Sequence, residues 1–489
     1  MPFAIVAGRD AGKYGPGTPC PGAQLRHAVG PNSLASRRSS GKAQCPDAGN
    51  VFSPRAGNRR NPGFPRLPAL LPAVLWGLLA GPATLAYADI GLADQVEFSG
   101  RLSMDTWLYS ENGAYPSQRS YAGGLTLEGT AYMEDEEGRS FTLTPFLRYG
   151  AGDPERTHAD LREAYLLLYG DAGENEWELR LGVDRVFWGV VESYPLVDIV
   201  NQTDLVDHPS ERTKMGQPMA HVTWSGDWGA LELFGLTGHR PRTYPGRHGR
   251  LRPEPIVDQD LVSYESAAKE WHLDFAGRYS GTFGPLDIGL SLFDGTSREP
   301  VLMPTPVGSS IVLAPRVLAP HYEQIRQYGL DALLTAGSWL LKLEAIHRTG
   351  ARNRRLDQHL NYEEEDYTAF VAGGEYTWYS LWESNADLGL FVEWAHDGRG
   401  RWATNAFEND LFLAAHLGLN DEQSTEFIVS VVDSLDNSSR VFGAEFKRRL
   451  TDHWYLHMET SAYLEIDRTD AIHPVRRDSW TRVKLDYNF

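Results

Sequence analysis

Ionisable side chains recur at every second position of short, otherwise largely apolar segments of this 489-residue chain. Arg180, Asp274, Arg278, Lys342, Glu344, Glu445, Lys447, Arg482, Lys484 and Asp486 all share this placement. Ladders of mixed sign can line a water-filled channel and set up a transverse field. They can also pair with neighbours across adjacent strands. Two irregular stretches add chemistry of their own. Segment 184–217 carries Glu192, Asp198 and Asp204 beside Val190, Val191, Leu196, Val197, Ile199 and Val200. Segment 237–270 carries Arg240, Arg242, Arg247, Arg250 and Arg252 with His239 and His248. Clustered guanidiniums can grip carboxylate or phosphate bidentately. A solvated loop whose charges do nothing specific would look the same.

Catalysis finds little support. His221, His272 and His457 fall within alternating segments, yet no G-x-S-x-G motif or metal-spaced His pair accompanies them. A covalent mechanism needs a nucleophile beside a base, so no catalytic residue, metal or cofactor is assigned.

The elements that must position these groups are strands. "WHLDFAGRY" sets Trp271, Leu273, Phe275, Gly277 and Tyr279 on one face, with His272, Asp274, Ala276 and Arg278 on the other. "WELRLGV" and "WLLKLEA" alternate in the same way. About 18 such segments follow residue 94. The links between them alternate between short turns such as "GDAGEN", "SGDWG" and "TAGS" and long stretches such as 184–217, 237–270, 294–327 and 347–366. A sandwich has no reason for that regularity. A transmembrane barrel has one, because its strands run between short periplasmic turns and longer extracellular loops. The predicted fold is therefore all-β, a transmembrane antiparallel up-and-down barrel of about 18 strands, with 16 as the alternative.

Tryptophans support two interfacial girdles. Trp177, Trp224, Trp228, Trp339, Trp378, Trp382 and Trp454 lie beside short turns, and Trp107, Trp271, Trp394 and Trp480 near long links. No run of 18 apolar residues occurs outside the N-terminal region, which excludes a helical bundle.

Residues 1–58, rich in Pro, Gly, Arg and Ser, are expected to be an unstructured leader, and the start is expected to be miscalled. Residues 59–88 read as a signal peptide: Arg59, Arg60 and Arg66, an apolar run from Leu67 to Ala80, and Ala86-Tyr87-Ala88 before the cut. The segment 1–88 holds 10 Lys and Arg against 2 Asp and Glu, so residues 89–489 keep 36 against 63, net −27. Cys20 and Cys45 lie in the removed segment, leaving no disulfide framework in the exported barrel. Only a few residues separate Asp89 from the first strand, too few for a plug or periplasmic domain.

The closing "TRVKLDYNF" places Val483, Leu485, Tyr487 and the terminal Phe489 on one face. It resembles the C-terminal signal of Gram-negative outer-membrane barrels, which the barrel-assembly machinery reads during insertion. "LRLGVDRVFWG" is similar to a motif of porin-like families of poorly characterised function. It keeps Arg180, Gly182, Trp188 and Gly189 but has Asp184-Arg185 where Arg-Gln is more typical. "LREAYLLLYG" resembles a porin strand with an Arg-Glu-Ala-Tyr core.

The resemblance implies an outer-membrane channel passing small polar or charged solutes. Segment 184–217 is expected to fold inward as a constriction, unless strands 5 and 6 simply extend past the membrane and pair there. The alternative function is a plug-less exporter of an anionic polymer, and an outer-membrane enzyme ranks below it. Expected partners are membrane lipid, lipopolysaccharide at the Arg-rich loop and the assembly machinery, with a monomeric or homotrimeric state. No nucleic acid is expected.

Overall fold

A chain that alternates oily and polar residues for hundreds of positions satisfies both faces only if one meets lipid and the other a polar interior. Closing the sheet then removes the unpaired backbone groups that lipid would penalise. The computed structural model describes residues 96–209, 213–305, 317–356 and 362–489. The leader, signal peptide and cleavage site lie outside the described residues.

The strands are β1 Val96–Tyr109, β2 Tyr121–Glu134, β3 Ser140–Ala151, β4 His158–Ala172, β5 Asn175–Asp184, β6 Gln217–Gly226 and β7 Gly229–Leu236. After β8 Ser263–Tyr264 come β9 Asp274–Phe283, β10 Leu286–Thr296, β11 Val301–Thr305, β12 Val317–Tyr322, β13 Gln324–Ala336 and β14 Trp339–Thr349. The remainder are β15 Arg352–Leu356, β16 Tyr362–Glu364, β17 Tyr367–Trp378, β18 Asp387–Asp397, β19 Asn409–Gly418, β20 Glu426–Ser434, β21 Arg440–Arg449, β22 Trp454–Glu465 and β23 Trp480–Asn488. Eighteen of them form one antiparallel sheet, and β8, β11, β12, β15 and β16 make small sheets within the links.

Closure comes from β1 against β23, with Arg101 opposite Asn488 and Tyr109 opposite Trp480. Phe489 extends the seam: Gly100 and Phe489 exchange backbone hydrogen bonds of 2.9 and 3.0 Å. The 18-strand closed barrel expected from the sequence is the observed fold.

Alternation governs the wall. On β9, Asp274 and Ala276 are buried while Phe275 is 56% exposed. Leu233, Leu290, Leu341, Val392 and Val429 likewise point outward, giving the apolar exterior of a transmembrane barrel. Pro145 lies inside β3, and the pairing with β4 shifts register between Thr144 and Pro145. A residue without an N–H is tolerated at such a bulge.

Two expectations need correction. Trp177, Trp224, Trp339 and the 90%-exposed Trp382 do ring the short-turn end, and Trp271 and Trp394 are exposed at the other. Trp107 and Trp480, however, are buried, with ring centroids 4.5 Å apart. They share parity with the inward Asp105 and Arg482, so they cannot reach lipid. Second, the alternation read from Trp271 enters its strand only at Asp274, because Lys269–Trp271 forms a 3-10 turn.

Gly182 has φ +138°, and a Cβ there would lie 2.1 Å from the Ala164 carbonyl of β4. Gly182→Ala should cost about 1–3 kcal/mol, read as a lower urea midpoint in micelles. An unchanged midpoint would show that β5 relaxes around the methyl group.

Candidate functional site

The link between β5 and β6, residues 185–216, is apolar in its first half, so its side chains seek a core and its backbone amides need acceptors away from water. Both needs are met inside the barrel. Val197 and Val200 are fully buried with Phe234, Leu236 and Phe293 of the inner wall. Val191 packs with Val371, Ala395 and Phe407. The first half of the link thus packs against side chains of the strands.

Carboxylates on distant strands receive the amides. Glu344 on β14 accepts from the N–H groups of Val190 at 2.7 Å, Val191 at 3.1 Å and Val197 at 3.2 Å. Glu393 on β18 accepts from Glu192 N at 2.8 Å, Ser193 N at 2.7 Å and Ser193 Oγ at 2.6 Å. Successive amides around a residue of positive φ form a small anion-binding concavity. Gly189 supplies that conformation, with φ +131°, and a Cβ there would stand 2.7 Å from Glu344 Oε1. Trp188 lies buried just ahead of it, with its ring 5.6 Å from that of Phe234.

The far half of the link is fastened to other strands. Asp207 pairs with Arg148 of β3 and lies 3.9 Å from Arg162 of β4. His208 lies 3.0 Å from Glu459 of β22, and burial holds its imidazole below the ordinary histidine value even beside that carboxylate. Arg148 and Arg482 also reach Asp105, at 3.3 and 3.9 Å. The link therefore touches strands around much of the barrel.

The acids singled out in it are each engaged. Glu192 meets Lys342 Nζ at 3.0 Å, and Asp198 meets Lys214 Nζ at 3.1 Å. Asp204 accepts from the amides of Val206 and Asp207 and from Thr243 Oγ1. On the wall, Arg278 forks onto Asp331 at 2.6 and 2.8 Å, and Lys342 lies 3.4 Å from Glu375. Arg180 bridges Glu178 and Asp184 at 2.6 and 3.2 Å. Lys484 and His457 converge on Asp486 at 3.0 and 3.2 Å. Glu445 and Lys447 are half-buried on β21. Asp274 sits at the long-link end, where it holds Thr296 and, at 3.0 Å, Arg298.

The arginine cluster departs from the outward array expected of it. Only Arg247 is exposed, and Arg240, Arg242, Arg250 and Arg252 are buried. Arg250 meets Asp478 at 2.6 Å, Arg240 donates to the Gly216 carbonyl at 2.7 Å, and Arg242 donates to Gln202 at 3.2 Å. Burial lowers Arg240 to about 10, opposed by Asp160, and depresses His239 to about 3, helped by Arg298. These groups tie link 237–273 to its neighbours. Sequence reading missed Asp105, Arg148, Arg162, Asp331, Glu375 and Glu393; their signal was strand parity.

No protein-family model matches the chain, and no curated protein matches it. Solved structures similar to it include a mutant of Rh. blastica porin, at TM-score 0.38 and 10% identity over 81% of this chain and 100% of that one. Another is Pseudomonas putida OprB, at TM-score 0.42 and 10% identity over 82% and 96%. Likeness at this level says nothing of the solute.

An unmet buried amide costs about 1–3 kcal/mol. Glu344→Ala should therefore speed amide exchange at Val190, Val191 and Val197 in micelles by at least about tenfold, with Glu344→Gln intermediate. Unaltered exchange would mean the link holds without this carboxylate.

Proposed function

We propose that the protein is an outer-membrane channel whose lumen passes small polar or charged solutes and is narrowed by the inward-folded link 185–216. The observation that carries this reading is that link, bound by its own amides to Glu344 and Glu393 within a barrel of polar inner wall. The inner wall also carries ionisable residues such as Arg180, Glu178, Lys342 and Glu375. Such residues suit a wetted path.

In this reading Glu192, Asp198 and Asp204 shape the constriction chiefly by holding the link, since each is already paired. The lumen-lining role falls on Arg180, Arg278, Lys342, Glu445, Lys447, Arg482, Lys484 and Asp486, while Asp274 and Glu344 act as fasteners. Lipopolysaccharide contact by the arginine-rich link reduces to the exposed Arg247. Residues 59–88 would direct export and be removed. Val483, Leu485, Tyr487 and Phe489 would serve recognition by the assembly machinery.

Purified protein in planar bilayers should give discrete conductance steps in KCl, and deleting residues 190–200 should enlarge them. Silent bilayers from folded protein would overturn the channel reading and favour a polymer exporter. Removing Phe489 should lower the amount of barrel assembled in cells while leaving the conductance of inserted molecules unchanged. Equal losses in both would reduce this residue to ordinary packing.

A further inference from the structure

Toward the short-turn end, the inner wall of β6, β7, β9 and β10 is built largely from short side chains. Thr223, Ser225, Ala230, Ser280 and Ser291 share strand parity with the inward Arg180 and Arg278, and each keeps partial exposure. Water therefore has room against this stretch of wall. Two longer carboxylates stand among them in one row: Glu178 of β5 lies opposite Thr223, and Thr223 lies opposite Glu232 of β7. Two strand spacings set these carboxylates about 10 Å apart. Asp287 of β10 faces the same way, nearer the turn, opposite Thr282.

The guanidiniums of this sector are already matched. Arg180 reaches Asp184 at 3.2 Å as well as Glu178 at 2.6 Å, and Arg278 forks onto Asp331 at 2.6 and 2.8 Å. Asp184 and Asp331 are both buried, so each guanidinium has a carboxylate of its own behind it. Glu232 has His221 at 3.2 Å rather than a guanidinium or ammonium. Asp287 accepts from Thr282 Oγ1 at 2.6 Å, and no Lys or Arg pairs with it among the described residues. The side chains of Glu178 and Glu232 are 33% and 22% exposed, so the surplus negative charge meets water. Across the lumen, β22 and β23 set their charges against each other instead: Arg482 lies 3.6 Å from Glu459, and Lys484 lies 3.0 Å from Asp486.

We infer that this sector is a cation-collecting vestibule, in which Glu178, Glu232 and Asp287 give the channel a preference for small cationic solutes. Carboxylates lining a water-filled passage lower the energy of cations there and raise that of anions. Their field reaches about 10 Å at 0.1 M ionic strength, roughly the spacing of the two glutamates, but only about 3 Å at 1 M. The preference is therefore strongest in dilute salt. This inference supplies the charge of the solute and rests on the channel reading, and conduction and selectivity are read separately.

The zero-current potential of the barrel in planar bilayers under a KCl gradient gives the ratio of potassium to chloride permeability. In salt near 0.1 M that ratio should be about threefold or more, and it should fall toward one near 1 M. The combined change Glu178→Gln, Glu232→Gln and Asp287→Asn should lower the dilute-salt ratio by about twofold or more. Heat-modifiable migration on gels reports whether the variant folds. If it does not, Asp287→Asn alone decides, with a smaller fall in the same direction. Chloride preference in the unaltered barrel, or an unchanged ratio in a folded variant, overturns the inference and leaves the channel standing. Silent bilayers overturn both.

Discussion

A carboxylate buried inside a protein needs hydrogen-bond donors, and Glu344 finds its donors in the backbone rather than in a cation. That one requirement fixes much else. The amides of Val190, Val191 and Val197 must point at a single side chain, which requires the turn at Gly189 and brings Trp188 into the wall. Glu393 repeats the arrangement two residues further on, through Glu192 and Ser193. An apolar segment that would be expelled from water as an outer loop thus becomes a partition inside the barrel. Its Glu192 meets Lys342 of β14.

The rest of the interior follows a related logic. A buried pair is weak evidence of net stability, but losing one partner typically costs about 3–5 kcal/mol, because a charge is stranded. Arg278 with Asp331, Arg250 with Asp478 and Arg399 with Asp397 are of this kind. Such pairs hold links and strands in fixed relation without requiring the apolar packing that a soluble core would use. The hydrophobic side chains are thereby released to face lipid. The negative formal charge of the chain is compatible with this, since many of the acids have cations or amides set against them.

The strands were legible because each one carries the same physical instruction, oil on one side and water on the other, at a period of two. Parity alone placed Asp274, Lys342, Glu344, Arg482 and Asp486 inside. It also contained the correct positions of Trp107 and Trp480, which a reading by strand end assigned to the membrane interface. The arginine-rich link was opaque for a different reason. Irregular chain has no period, and Arg250 finds its carboxylate 228 residues away. Glu344 was legible as inward, but its role was not, because amides of any sequence can donate and leave no mark on residue type.

The fastening of the partition also bears on the order of assembly. Glu393 receives the Glu192 amide across 201 residues of sequence, and Glu344 receives Val190 across 154. Contacts of such separation are disfavoured by loop-closure entropy until the intervening chain is already arranged. Strands β1 to β7 can pair with their neighbours early, but the amides of Val190, Val191, Glu192, Ser193 and Val197 lack these acceptors until β14 and β18 are in place. A partly built sheet would therefore carry this valine-rich stretch uncovered. The nascent barrel would pass through a wide and sticky stage before these valines are covered.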